Sequence, residues 1–331
     1  MKKALGIDIA KQKFDVALLG TKNKHKVFDN NKKGFYELSK WLVSNDSENV
    51  HACMEATGCY GKPLATYLYD KGHIVNVVNP LKIKAYGRSK LLRNKTDKVD
   101  AKIIAEFCGQ MEDIRPWKPK PAYIEELSDL TKRLDDLNDM KRQERNRLES
   151  SSKDIAKFIK SIIKQLDKQT ELIQKQIDSL LNKYSDLRDK KELLETIPGI
   201  GIKTIPKILF ILDNIEDFKN AKEVAAYAGL TPRNFESGSS VHGKTRLTKI
   251  GNSKLRRSLY FPAITAMTHN PAIKIFCDRL KKNGKCAMSV IGAAMRKLLH
   301  IIYGILKSGK PFDLELAKGN QLNKKFVIKP A

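Results

Sequence analysis

The segment between Pro121 and Pro198 contains neither glycine nor proline, and this absence constrains the fold more than any other feature of the sequence. Leucine and isoleucine recur in it at intervals of three and four among many charged residues, the spacing of an apolar helix face. A segment of this length without a helix breaker predicts long helices. We expect an antiparallel hairpin that bends around residues 149 to 154, or a coiled coil with another subunit, with most of the charges facing solvent.

The residues before Pro121 combine short apolar runs with helical patterns. The pattern predicts strands at residues 4–9, 14–19 and 24–30, a helix at 34–45, a strand at 50–56, a helix at 62–72, a strand at 74–79 and a helix from about Thr96. This order is typical of the ribonuclease H-like fold, in which helices flank a mixed α/β sheet.

A third region begins at Leu193, so the predicted domains are 1–120, 121–192 and 193–331. Gly199 and Gly201 lie in a short turn between two apolar helical patterns, which is the arrangement of a helix-hairpin-helix element. In such an element backbone N–H groups can face a phosphate. We expect this last domain to be mainly α-helical.

The charge of the chain favours a polyanionic partner. The formal net charge is +26, so nucleic acid is a better candidate than a small metabolite, and a membrane surface is the weaker alternative. Two acid-free stretches, residues 81–96 and 237–277, concentrate the cations. Their candidate nucleic-acid contacts are Lys82, Lys84, Arg88, Lys90, Arg93 and Lys95 in a basic loop, and Lys244, Arg246, Lys249, Lys254, Arg256 and Arg257.

Other features favour a reduced, cytoplasmic protein. The N-terminal apolar run is short and interrupted by charges, and no later apolar run reaches ~18 residues, so neither a signal peptide nor a membrane span is expected. The 5 cysteines are scattered without a metal-binding or disulfide spacing.

Four carboxylates are expected to gather in the first domain. Asp8 lies in the first strand and Glu55 at the end of the fourth, and these strands are neighbours in a ribonuclease H-like sheet. Asp97 and Asp100 lie three residues apart on one face of the last helix. Such a group would be self-repelling unless divalent cations neutralise it, and oxygen-only ligands suit Mg²⁺ or Mn²⁺. Two ions ~3.5 to 4 Å apart would stabilise both oxygens of a phosphodiester exchange.

Each acid also has an ordinary structural interpretation. Asp8 can be a strand-end residue, and its motif "GIDIA" also opens sugar-kinase and actin-like ATPase folds, although no glycine-rich phosphate loop accompanies it here. Asp97 can simply begin a helix, where acids favour the dipole. Glu55 is harder to explain in this way, because an unpaired buried carboxylate is costly.

Six blocks, in order and across nearly the whole chain, resemble the DEDD-type transposases of the IS110 insertion-sequence family. They are "GIDIAK", "MEATGCYGKPLATYL", "NKTDKVDAKIIAEF", "IPGIGIKTIPKIL", "AYAGLTPRNFESG" and "GKTRLTKIGNSKLRRSLY". The resemblance implies a RuvC-like N-terminal domain, a coiled-coil linker and a C-terminal transposase domain with a nucleophilic serine.

By the same resemblance, Asp8, Glu55, Asp97 and Asp100 are the acidic tetrad and Ser237 is the nucleophile. Ser239 and Ser240 lie close enough to be alternatives, and the segment is also an ordinary flexible turn. The resemblance further implies magnesium, donor and target DNA, a structured noncoding bridge RNA that pairs with both, and a prokaryotic, nucleoid-associated protein. It also implies a dimer that assembles to a tetramer, whose active sites combine the two domain types from different subunits.

Three functions remain open from the residues. The first is an RNA-guided recombinase that cuts and rejoins DNA through a phosphoserine intermediate. The second is a metal-dependent nuclease of the resolvase type, without a covalent intermediate, and the third is a nonenzymatic nucleic-acid scaffold. In the first, base pairing would carry specificity, so the target and donor sequences lie outside the protein.

Overall fold

The computed structural model describes residues 3–20, 24–56, 58–91, 96–110, 116–233, 236–237, 241–242 and 246–315, with the backbone alone at 236–237 and 241–242. The chain divides into two compact units, Met1–Lys120 and Pro121–Ala331. The buried apolar residues of the first unit form clusters around its sheet, and those of the second unit form a separate large core.

The first unit is built on a mixed five-stranded sheet. Its strands are β1 (Lys3–Ile9), β2 (Lys13–Leu18), β3 (Lys24–Asp29), β4 (Val50–Glu55) and β5 (Ile74–Val78). Their order is β3-β2-β1-β4-β5, with the first three strands antiparallel and β1, β4 and β5 parallel. Together with its helices, this sheet is consistent with the ribonuclease H-like fold that the sequence predicted.

Four helices accompany the sheet: α1 (Lys32–Val43), α2 (Lys62–Asp70), α3 (Pro80–Ser89) and α4 (Asp97–Gln110). The prediction of a basic loop was wrong for α3. Its start is fixed locally, because the Asn79 side chain accepts a hydrogen bond from the Leu81 N–H at 2.9 Å and Pro80 occupies the first turn. Ile83 is buried and anchors the helix, while most of the other side chains are exposed.

The second unit is mainly helical. Its helices are α5 (Ala122–Glu149), α6 (Lys153–Lys183), α7 (Ser185–Glu195), α8 (Ile205–Ile211), α9 (Ala221–Tyr227), α10 (Ser253–Ser258), α11 (Tyr260–His269), α12 (Pro271–Lys282) and α13 (Ala287–Ser308). Two short antiparallel pairs of strands interrupt them. They are β6 (Pro232–Arg233) with β9 (Arg246–Leu247), and β7 (Glu236–Ser237) with β8 (Val241–His242).

Helices α5 and α6 form the expected hairpin. They turn around residues 150 to 152 and pack along each other, with a salt bridge of 2.8 Å between Lys141 Nζ and Asp167 Oδ1. The base of the hairpin shares one hydrophobic core with the C-terminal helices, to which Leu127 and Leu181 contribute. Helix α7 spans residue 192, so the division at that point stays a prediction.

Helix α13 is long and apolar enough to cross a membrane by length and composition, with a mean hydropathy of 1.4. The sequence contains no uninterrupted apolar run there, since Arg296 and Lys297 lie in the middle. Residues such as Leu298, Leu299 and Ile302 are fully buried against the neighbouring helices. Helix α13 is thus a central core helix of the second unit.

Candidate active site

The central strands place two carboxylates side by side. Ile7 on β1 pairs with Met54 on the parallel strand β4, so the next residues along both strands, Asp8 and Glu55, are neighbours. Side chains in matching register project from the same face of a sheet. On the other side of β1, Asp8 lies opposite Asp15 of strand β2.

Gly6 allows helix α4 to pack directly against this face. A methyl group at Gly6 would lie 2.1 Å from the carbonyl oxygen of Ala101 and 2.2 Å from the nitrogen of Ala105. Both are backbone atoms, so any larger residue would displace the helix. Since Ala101 follows Asp100 by one residue and Asp97 by about one helical turn, the close packing at Gly6 brings these two acids towards Asp8.

The four carboxylates interact electrostatically. The pKa of Asp8 is raised from 3.8 to about 6, first by burial and then by repulsion from Asp100, Asp97 and Glu55, with a smaller effect of Asp15. Both causes disfavour the charged form of a carboxyl group, burial by removing water and the neighbouring acids by repulsion. The structure therefore brings together the acids that the sequence singled out; their catalytic role stays a prediction.

These residues fit a divalent metal ion. All four offer carboxylate oxygens, the ligands that Mg²⁺ and Mn²⁺ prefer, and the repulsion that contributes to the raised pKa of Asp8 is one that a cation would relieve. The identity and number of the ions stay predictions.

Sequence reasoning missed a second group of polar residues on strands β2 and β3. Lys13 Nζ lies 2.9 Å from Asp97 Oδ2 and 3.7 Å from Asp15 Oδ2, so its ammonium group connects a tetrad acid with a neighbouring one. Asp15 is buried and its Oδ1 lies 2.9 Å from His25 Nε2. The strand period places residues 13 and 15 on one face of β2, but it does not identify their partners across the sheet.

The cations predicted in the first unit lie on and after α3. Lys82, Lys84, Arg88 and Lys90 are exposed, whereas Arg93 and Lys95 lie outside the described residues. Lys90 Nζ lies 3.5 Å from Glu106 Oε2 of helix α4, so this ion pair partly neutralises its charge. The others present an exposed basic helix in the same unit as the tetrad.

In the second unit, Ser237 lies on strand β7, where it pairs with Val241 of β8. Its side chain, and Ser239, Ser240 and Lys244 altogether, lie outside the described residues. Arg246, Lys249, Lys254 and Arg257 are exposed. Arg256 differs, because its Nη1 donates a hydrogen bond of 2.9 Å to the carbonyl oxygen of Ala228, which gives it a structural role after helix α9.

Comparisons with known proteins identify both units. The family model described as "Transposase", with a DEDD domain, matches residues 5–156, and the model "Transposase IS116/IS110/IS902 family" matches residues 191–277. The "Pilin gene-inverting protein" of Moraxella lacunata is 36% identical over 317 residues, which cover 94% of this chain and 98% of that protein. The protein of the same name from Moraxella bovis is also 36% identical, with the same coverage.

A more distant relative is the "Insertion element IS110 uncharacterized 43.6 kDa protein" of Streptomyces coelicolor. It is 26% identical over 146 residues, which cover 44% of this chain and 36% of that protein. The fold, the acidic cluster and these matches define an enzyme of DNA recombination, a DEDD-domain transposase. The chain belongs to the IS110/IS116/IS902 family of insertion-sequence transposases. Membership implies DNA as a partner and the use of divalent metal ions.

Proposed function

We propose that this transposase cleaves and rejoins DNA under the guidance of a structured noncoding RNA, through a phosphoserine intermediate. The observation that supports it best is the cluster of Asp8, Glu55, Asp97 and Asp100, in which burial and then repulsion from the other three acids raise the pKa of Asp8. An exposed basic helix, α3, lies in the same unit. We also propose that the first unit is a RuvC-like domain, that the long helices form a coiled-coil linker, and that the second unit contains a helix-hairpin-helix element.

The tetrad would hold Mg²⁺ or Mn²⁺ through its carboxylate oxygens. Bound ions would stabilise the charge that develops on the phosphate and on the attacking and leaving oxygens. Lys13 Nζ donates a hydrogen bond of 2.9 Å to Asp97 Oδ2 from strand β2. Exposed cations such as Lys82 and Arg88 would bind the backbone of the nucleic acid, which supplies affinity without sequence preference.

Ser237 would be the nucleophile. Its hydroxyl oxygen would attack a DNA phosphate and lose its proton, while the bond from phosphorus to one deoxyribose oxygen breaks and that oxygen gains a proton. Attack by the hydroxyl of another DNA strand end would then restore the serine and seal the new strand. An exchange of esters needs no external energy source.

The test uses DNA that carries the ends of the element, together with RNA transcribed from the noncoding DNA that flanks the gene. After denaturation, wild-type protein is expected to remain covalently attached to DNA, and Ser237→Ala is expected to lose the adduct but keep DNA binding. Ser239→Ala and Ser240→Ala are the matched controls and should keep it. An adduct that persists in Ser237→Ala, and disappears in one of the controls, would move the role to that serine.

The alternative is a metal-dependent nuclease of the resolvase type, in which water cleaves the strand and no covalent adduct forms. Strand cleavage with no protein–DNA adduct in any variant would establish it. A nonenzymatic scaffold, the third possibility raised by the sequence, does not fit membership in a transposase family.

A second candidate function is inversion of a DNA segment. The observation that favours it is the 36% identity to the two pilin gene-inverting proteins over nearly the whole chain. Inversion and transposition use the same cutting and rejoining steps and differ in the arrangement of the two sites. A plasmid with two inverted element ends would report inversion, and one with an element and a free target would report transposition.

We also propose how the protein assembles and where it is located. We expect a dimer that forms a tetramer on nucleic acid, with active sites that use both domain types from different subunits, and a cytoplasmic, nucleoid-associated location. Light scattering of the protein with and without the flanking RNA tests the assembly. A monomer under both conditions would contradict it.

A further inference from the structure

Phe261 is the most exposed phenylalanine in the part of the chain that the structure describes. It is 73% exposed, although it belongs to helix α11 of a well-packed unit. Its ring contacts the ring of Tyr260 edge to face, with centroids 5.3 Å apart. Tyr260 itself packs against the core, so Phe261 is an oriented aromatic side chain on the surface.

Phe261 borders an open groove of about 350 Å³. One side of the groove is the turn between α7 and α8, with Gly199, Gly201 and Thr204, and the other is helix α11, with Phe261, Pro262 and Thr265. A volume of this size accommodates a small planar group such as a nucleobase.

The turn is held rigidly on α11. Gly199 has a φ of +103°, and a methyl group there would lie 2.6 Å from the Ala266 Cβ, so only glycine allows this contact. The buried Asn270 donates a hydrogen bond of 3.4 Å from Nδ2 to the carbonyl oxygen of Pro198. At Gly201, by contrast, a methyl group would meet no atom within 4 Å, so the outer side of the turn is open.

The charge around the groove fits a polyanion. Its two sides come from residues 196–212 and 237–277, and neither segment contains an aspartate or glutamate. Lys203 is exposed in the turn. Arg257 precedes Phe261 by four residues, and its side chain is 74% exposed despite a contact of 3.7 Å with Asp139. An exposed pair of this kind is weak, so the guanidinium can turn to a phosphate.

We propose that this groove binds an unpaired base of a single-stranded nucleic acid, with the base stacked on Phe261 and the adjoining phosphates near Lys203 and Arg257. Aromatic rings combined with cations bind single strands in this way, because every base has a stacking face. The inference rests on the nucleic-acid binding of the proposed function and adds a site to it. The single strand can come from the guide RNA or from opened DNA.

The experiment uses full-length protein and oligonucleotides of one sequence that contain 2-aminopurine, as single-stranded DNA, single-stranded RNA and duplex DNA. Wild-type protein is expected to quench the fluorescence of a single strand by stacking. Phe261→Ala should abolish the quenching and weaken binding roughly 5- to 100-fold. Phe261→Trp should restore both. Phe158→Ala is the matched control, since Phe158 is 70% exposed on helix α6 and far from this groove in the chain.

Quenching of the DNA strand but not the RNA strand, or the reverse, identifies the source of the base. Equal quenching by wild type and Phe261→Ala, or quenching of the duplex alone, would overturn the inference. So would a change in oligomeric state in Phe261→Ala with unchanged quenching, because the groove would then be a protein interface. Asp97→Asn should quench like wild type even without cleavage, so failure of this inference and failure of the proposed chemistry can be told apart.

Discussion

Asp8 is half-buried at the centre of the sheet, with further acids on both neighbouring strands and on helix α4. In metal-free protein its pKa is about 6, above the value of 3.8 expected for an exposed aspartate. The folded state therefore binds more protons than the unfolded state between about pH 4 and pH 6. Below this window Asp8 is protonated in both states and does not lower the free energy of unfolding. Its carboxylate lowers that free energy progressively as pH rises through the window to 6.

Replacement of Asp8 by Asn should therefore stabilise the metal-free protein at pH 8 by about 1 to 2 kcal/mol relative to wild type, less than the full pKa shift would give, because solvent screens a half-buried carboxylate. The difference should vanish near pH 4. Urea unfolding in EDTA, followed by tryptophan fluorescence, measures it, since both tryptophans, Trp41 and Trp117, lie in the first unit. Glu106→Gln on helix α4 is the control. A stability difference that does not change with pH would contradict the coupling.

Some residues of the site were visible in the sequence and others were not. Asp8, Glu55, Asp97 and Asp100 could be predicted, because an apolar strand or a basic surrounding makes an acid conspicuous. Asp15 and Lys13 could not, since a charged residue in a short strand is ordinary until its partners across the sheet are known.

At the scale of the element, the contact between β1 and α4 determines the geometry of the tetrad. Backbone atoms of helix α4 occupy the space on β1 that a side chain at residue 6 would fill. The sequence predicted both elements, because their apolar patterns are clear. The contact itself was not predictable, since a glycine in a strand shows only that something approaches closely.

Gly6→Ala should shift helix α4 away from the sheet. We expect a loss of stability of about 1 to 3 kcal/mol or more, and loss of DNA cleavage, because Asp97 and Asp100 move with the helix. Thermal unfolding and strand cleavage provide the measurements. Gly20→Ala is the matched control, because a methyl group there meets no atom within 4 Å. Normal cleavage by Gly6→Ala would show that the packing does not set the site.

Helix α3 shows where sequence patterns fail at this scale. Its residues are mostly basic and exposed, and only Ile83 is buried, so the apolar period that identifies a helix is almost absent. The usable signal was Asn79 followed by Pro80, a helix start.

At the scale of the whole molecule, the acids and the candidate serine belong to different compact units. The apolar clusters of the first unit contain no residue after Trp117, and Trp117 donates its backbone N–H to the carbonyl oxygen of Val75 at 2.6 Å. A fragment of residues 1–120 therefore keeps its own core. The long helices were predictable from the absence of glycine and proline, whereas the shared core of the hairpin and the C-terminal helices depends on distant contacts.

The 1–120 fragment should fold cooperatively and bind Mn²⁺, because it contains all four acids. It should form no covalent adduct with DNA, because it lacks Ser237. Circular dichroism, calorimetry and denaturing gels test these three points. An unfolded fragment would show that the first unit needs the second for stability.

The most direct test of the central claim combines Mn²⁺ titration at pH 7.5 with strand cleavage in the full-length protein. Single variants Asp8→Asn, Glu55→Gln, Asp97→Asn and Asp100→Asn are compared with wild type and with Glu106→Gln. Each of the four substitutions should weaken Mn²⁺ binding and abolish cleavage, while Glu106→Gln should do neither. Unchanged metal binding and unchanged cleavage in the four variants would contradict the claim.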